Sequence, residues 1–183
     1  MINIRDLTVR FDGKTVFDHA AFTLPDAGVV LLRGASGVGK TTLLRVLAGL
    51  LKPDAGIVTG LEGRKLSFAF QEPRLLDWLS ALDNVALVSD PQTAEALLKR
   101  LDLAKELREK AGVLSGGQKQ RVSLARAFAF SDDVVLLDEP FSGLDEENKR
   151  RAAELICSAK LAVVVTHDPD DALLLHADTN LFL

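Results

Sequence analysis

What this 183-residue chain lacks narrows it first. It has one cysteine, Cys157, so no internal disulfide can form, and a reducing compartment fits that usage. Cys157 reads as a small buried apolar residue on a helix. No apolar run approaches the roughly 20 residues that span a bilayer. The alternating, charged start MINIRDLTVRF is not a secretion signal. The expectation is a soluble intracellular protein; if it acts on a membrane, another chain supplies the membrane part. There is no lysine–arginine block and the net charge is −4, which argues against nucleic acid as a partner. No internal repeat, low-complexity tract or linker divides the chain, and 48% hydrophobic residues suffice for one well-buried core.

The apolar residues that are present fall into short runs. INIRDLTVRF and TVFDHAAFTL read as strands joined at Asp12-Gly13, a hairpin signal. GVVLLRG, DVVLLDE and LAVVVTH are continuous apolar runs, as in strands buried on both faces. Two further strands are predicted around the Gly60–Gly63 turn and a last one in DTNLFL. Leu43, Leu44, Leu47 and Leu51 recur at helical spacing, broken by Pro53 and Gly56. Residues 72–112 turn helical. In TAEALLKRLDLAKELREK, Ala94, Leu97, Leu98, Leu101 and Ala104 share one side, with Glu95/Lys99 and Glu106/Lys110 on a solvated face. Helices are also predicted in KQRVSLARAFAF, ENKRRAAELICSA and DPDDALLLHA. Buried strands alternating with helices imply an α/β fold with a mostly parallel sheet and helices on both faces.

Two motifs point to chemistry. GASGVGKTT supplies Gly34, Ala35, Ser36, Gly37, Val38, Gly39, Lys40, Thr41 and Thr42 between a buried strand and a helix. It fits G-x-x-x-x-G-K-[ST]: backbone N–H groups wrap a polyphosphate, the helix N-terminus adds partial positive charge, Lys40 reaches the β- and γ-phosphates and Thr41 can ligate Mg2+. The strand VVLLDE ends in Asp138 and Glu139, placed to hold Mg2+ and to act as general base for the attacking water. Nucleotide and Mg2+ follow from these motifs. LSGGQ at 114–118 stays open on its own residues: Ser115 reads as a helix N-cap, and the loop also reads as an anion site.

Taken in order, the phosphate loop, Gln71, LSGGQ, Asp138-Glu139, SGLD at 142–145 and His167 resemble the nucleotide-binding subunit of an ABC ATPase over nearly the whole chain. The resemblance implies a single P-loop NTPase domain over 1–183, with an N-terminal antiparallel β portion and a helical subdomain at about 72–125 inserted in the core. It implies Mg2+ with ATP, and a second ATP-binding subunit, the same chain, paired head to tail. Ser115, Gly116, Gly117 and Gln118 would complete a partner's ATP site in trans, and Asp145 would stand at the dimer interface. Gln71 would link Mg2+ and water to the transporter contact, and His167 would contact the γ-phosphate. Phe11 would stack on adenine where the family often has tyrosine, which this chain lacks, or it is a core strand residue. Gly143 stands where the family often has alanine. The chain is short for the family, with little after His167.

FQEPRLLDWLSALDNVAL, residues 70–87, resembles import ATPases for nitrate, sulfonate, taurine or thiamine-like solutes. That implies a transmembrane permease as partner, a solute-binding protein acting through it, and a place on the inner membrane face. Leu75, Leu76 and Trp78 would touch the permease, or pack inside the helical lobe. A non-transport ABC ATPase of DNA repair or translation, and an export or lipoprotein-release cassette, are the alternatives.

Overall fold

The computed structural model describes residues 1–11 and 13–183. The predicted Asp12-Gly13 turn therefore falls partly outside the described residues. Among the described residues, eight strands form two sheets. β1 (Ile2–Phe11), β2 (Lys14–Leu24) and β4 (Ala55–Thr59) make an antiparallel sheet in the order β2-β1-β4. β3 (Gly28–Arg33), β5 (Leu66–Ala69), β6 (Val134–Asp138), β7 (Leu161–Val165) and β8 (Thr179–Phe182) make a wholly parallel sheet in the order β5-β6-β7-β3-β8. The two strands expected around Gly60–Gly63 both exist, but β4 joins one sheet and β5 the other.

The continuous apolar runs are strands covered on both faces. Along β3, β6 and β7, Val30, Leu32, Val134, Leu136, Val163 and Val165 enter one core. That core also takes Leu43, Leu44 and Leu47 of helix α1 (Lys40–Leu47) and Ile2, Ile4, Leu7 and Leu24 of the antiparallel sheet. Their alternates Val29, Leu31, Val135, Leu137, Ala162 and Val164 enter a second core. It takes Val122, Leu124 and Phe128 of helix α4 (Gly116–Phe130), Leu155 and Ile156 of helix α5 (Glu146–Ile156), and Val85 and Leu98 of helices α2 (Ala81–Ala86) and α3 (Pro91–Arg100). The period of two along a strand makes this division. Helix α6 (Pro169–Leu174) follows β7.

The structure corrects four local expectations. The helix predicted through residue 110 ends at Leu101, because Asp102 turns left-handed at φ 57°. Leu101 and Leu103 are still buried, so the apolar spacing outlives the helix. Glu95 and Lys99 pair across one turn at 2.6 Å, whereas Glu106 accepts from Gln118 Nε2 at 3.1 Å rather than facing Lys110 on a helix. Leu51 lies past the end of α1. Cys157 is the exposed C-cap residue of α5, its thiol donating to Leu175 O at 3.4 Å, instead of a buried helical residue.

Candidate active site

The phosphate loop turns on glycines in backbone conformations that other residues rarely adopt. Gly34, Gly37 and Gly39 have φ of 145°, 76° and 115°. A Cβ on Gly39 would stand 2.7 Å from Val16 Cγ1 and 2.8 Å from Phe17 Cζ, so β2 presses directly on the loop. Gly39 offers no side chain to cap α1, and the first turn of that helix has no acidic residue. The opening N–H groups of α1 are thus left for an anion, and the helix dipole adds to their attraction. Lys40 is buried at 5% exposure, and its Nζ donates to Gly34 O and Ala35 O, both at 2.9 Å.

Around this loop lies a cavity of about 300 Å³ lined by Ser36, Lys40, Thr41, Gln71, Asp138, Glu139 and His167, among others. Strand ends deliver the carboxylates and the histidine: β6 ends at Asp138, β7 at Val165, and the two strands pair in register there. Asp138 is 4% exposed and accepts from Thr41 Oγ1 at 2.9 Å. Burial pushes its carboxyl above the usual aspartate range, against the pull of the Thr41 hydrogen bond. Glu139 has φ 50°, an unusual conformation for a residue with a side chain. Its backbone is held on both sides, its N–H donating to Val165 O at 2.9 Å and its carbonyl accepting from Gln120 Nε2 at 3.2 Å. Burial also raises the Glu139 carboxyl, opposed by the charge of His167. Glu139 Oε1 is buried without a hydrogen-bond donor, 3.2 Å from His167 Nε2. A buried carboxylate oxygen without a donor is costly alone and suits a water molecule or a protonated ligand.

Residues 115–118 do not line that cavity. Ser115 caps α4, accepting from Gln118 N at 3.3 Å, while Gln118 Oε1 accepts from Ser115 N at 2.9 Å, a complete capping box. A Cβ added at Gly116 would meet nothing within 4 Å, whereas one at Gly117 would lie 2.5 Å from Gly143 O. The turn at Gly143, with φ 72°, therefore rides directly on α4. Asp145 caps α5 and accepts from Asn148 N at 2.9 Å. Arg121 ties these pieces together, donating from Nη1 to Leu101 O, Asp102 O and Asn148 Oδ1 at 2.7, 3.1 and 2.8 Å.

The ABC transporter family pattern matches residues 17–142, more than half of the chain. The chain belongs to the ABC transporter family. A Haemophilus influenzae protein named "Uncharacterized ABC transporter ATP-binding protein" is 41% identical, over 94% of this chain and 78% of its own. The "Aliphatic sulfonates import ATP-binding protein SsuB 1" of Pseudomonas fluorescens is also 41% identical, over 95% of this chain and 70% of its own. Among solved structures, two dimers of the ATP-binding cassette MJ0796, one bound to ADP and Pi, match with TM-scores of 0.87 and 0.86 at 27% identity. Each covers all of this chain and 94% of its own. The activity of this ABC cassette is ATP hydrolysis coupled to transport.

Within the cassette the structure gathers Ser36, Gly37, Gly39, Lys40, Thr41, Thr42, Gln71, Asp138, Glu139 and His167 around one space. Phe11 is 42% exposed at the end of β1, outside the residues that line the space; Val16 lines it instead. Leu75 is half-buried and packs on the helical core, while Trp78 is 69% exposed. Sequence reasoning passed over Gln120 and Arg121. Both lie in a stretch of α4 that is buried at every position from Gln120 to Ala125, at 3% and 8% exposure, and helical periodicity does not mark such a stretch as covered.

Proposed function

We propose that two copies of this chain pair head to tail, and that each Lys40 cavity binds Mg-ATP and is closed by Ser115, Gly116, Gly117, Gln118 and Asp145 of the other copy. The observation behind this reading is the placement of the capped α4 N-terminus, exposed and apart from the cavity of its own chain. Ser115 caps only the Gln118 N–H, and the dipole of this exposed helix start would draw the nucleotide that a second copy brings. The dimeric form of both MJ0796 structures supports the pairing. The pair would drive a permease that imports a small solute, as the sulfonate relatives' name supports. A solute-binding protein would feed that permease. No helix among the described residues is long and apolar enough to cross a membrane, so attachment at the inner face would run through the permease.

Buried Asp138, hydrogen-bonded to Thr41 Oγ1, fits a hard divalent cation. Thr41 and Asp138, with Gln71, would hold Mg2+, which would neutralise charge on the phosphate oxygens. Among the described residues no cluster of three or more acidic, histidine or cysteine side chains forms a cage of its own. A site sharing its ion with phosphate oxygens and water needs none. The first N–H groups of α1 and the Lys40 ammonium would bind the phosphates. Glu139 Oε1, buried and without a donor, would accept a hydrogen bond from the attacking water and orient it in line. His167, beside Glu139, would steady the water and the γ-phosphate. Phe11 would stack on the base from its exposed place at the end of β1.

The test is Glu139→Gln, which keeps the shape and removes the base. The variant should bind ATP with wild-type affinity, dimerise when Mg-ATP is added, and lose at least about 100-fold in turnover. Light scattering and phosphate release read the two halves separately. Wild-type turnover refutes the role of Glu139, and a monomer at saturating Mg-ATP refutes the pairing. Affinity capture of this variant with Mg-ATP from solubilised membranes should bring down a polytopic membrane protein. Capture of soluble repair or ribosomal proteins alone would overturn the transport reading.

A further inference from the structure

Behind the candidate site lies a half-buried cation that the proposed chemistry does not use. Lys149, on the first turns of α5, donates from Nζ to Asp168 Oδ2 at 3.1 Å and stands 2.7 Å from Asp171 Oδ1, an ion pair without hydrogen-bond alignment. Its side chain is 15% exposed and that of Asp171 6%. A buried ion pair contributes little net stability, because desolvation cancels most of the attraction. What it does fix is geometry. Asp171 Oδ2 accepts from Thr166 Oγ1 at 2.9 Å, and Thr166 Oγ1 in turn accepts from Asp168 N at 3.3 Å. Thr166 and Asp168 are the two neighbours of His167 in the chain. Both are thus bound into the Lys149–Asp171 pair, and the His167 ring stands 3.2 Å from Glu139 Oε1. The pair lines a cavity of about 420 Å³ together with Glu139, Ser142, Gly143 and His167. Contact with Asp171, then Asp168, holds the Lys149 ammonium well above the usual lysine range, so it stays charged at any working pH.

We propose that Lys149 is a positioning residue for His167: by gripping Asp171 and Asp168 it sets the turn that presents the imidazole to Glu139. Because Asp145 caps α5, the same lysine joins that turn to the segment offered to the second copy. A shift of the Asp145 end on pairing would reach His167 through this one side chain. The inference rests on the ATP-hydrolysis reading of the Lys40 cavity.

Steady-state ATP turnover in Lys149→Met, Lys149→Arg, His167→Ala and the Lys149→Met/His167→Ala double variant tests it. Lys149→Met should lower kcat at least about tenfold and leave KM for ATP within about twofold, since the lysine does not line the phosphate-loop cavity. Lys149→Arg, which keeps the charge, should recover most of the rate. Lys149→Met should cost nothing further in the His167→Ala background, because it acts through that histidine. An unchanged kcat overturns the proposal, and so do losses that multiply in the double variant. Should Lys149→Met fail to fold, Lys149→Met/Asp171→Asn removes both charges and keeps an acceptor for Thr166 Oγ1. A low kcat in that folded variant supports positioning, and a restored kcat shows a merely structural pair and overturns it. Glu139→Gln in the same series keeps the two readings apart. If it is inactive while Lys149→Met is fully active, only the positioning role falls. If Glu139→Gln turns over like wild type, the site assignment falls and this inference with it.

Discussion

Gly116 and Gly117 are neighbours in the first turn of α4, and the structure predicts opposite tolerance for an added methyl group. A Cβ on Gly116 meets nothing within 4 Å, whereas on Gly117 it would lie 2.5 Å from Gly143 O. Ordinary contact begins near 3.4 Å, so in Gly117→Ala the Gly143 turn must retreat by about 0.9 Å. The obstacle is backbone, and Gly143 already sits at φ 72°, where few other conformations are open to it. Both substitutions gain similar helix propensity, up to about 1 kcal/mol, and comparing them cancels that gain. What remains is overpacking, about 1–3 kcal/mol. For a chain of this size each kcal/mol shifts the melting temperature by about 2–4 °C, so the two variants should differ by about 2–12 °C. Thermal denaturation without nucleotide reads this directly, free of any effect on catalysis. If Gly117→Ala melts at or above Gly116→Ala, the contact between α4 and the Gly143 turn is wrong.

Three further outcomes are expected. Burial raises the Glu139 carboxyl above its ordinary 4.5; its contribution to stability is therefore present below that pH and lost as pH rises through the folded value. Glu139→Gln should accordingly melt higher than wild type near pH 7 without nucleotide, the gap closing toward pH 4, and a gap that ignores pH would contradict the burial argument. Thr41→Val keeps the branched shape but removes the donor to Asp138, so ATP affinity by calorimetry should fall at least about tenfold with Mg2+ and hold in EDTA; equal losses in both buffers would refute the metal role. Trp78 is 69% exposed, so Trp78→Ala should change stability by less than about 0.5 kcal/mol while solute uptake by the assembled transporter falls, and normal uptake would sink the proposed permease contact.

Runs such as VVLLDE and LAVVVTH are continuously apolar up to their last two residues, as in strands covered on both faces. The parallel sheet was therefore legible in the sequence, and so was the placing of Asp138, Glu139 and His167 at its strand ends. The phosphate loop was legible because glycine spacing, lysine and hydroxyl answer one steric problem. Contacts between distant segments were not. Nothing local tells β4 from β5, and which sheet each joins depends on partners far along the chain. The helix ending at Leu101 kept its spacing by coincidence, Leu103 being buried from a turn rather than a helix face. Lys149 and Arg121 looked like ordinary surface charges, since helical periodicity says which way a residue points and not whether something covers it. Cys157 misled in the other direction.

The strand that ends in Asp138 has Val134 and Leu136 in one core and Val135 and Leu137 in the other. β3 and β7 alternate in the same way, so the parallel sheet is the single wall between the two cores. The carboxylates therefore feel both layers at once: a change of volume among the helices or in the antiparallel sheet presses on the same strand backbone.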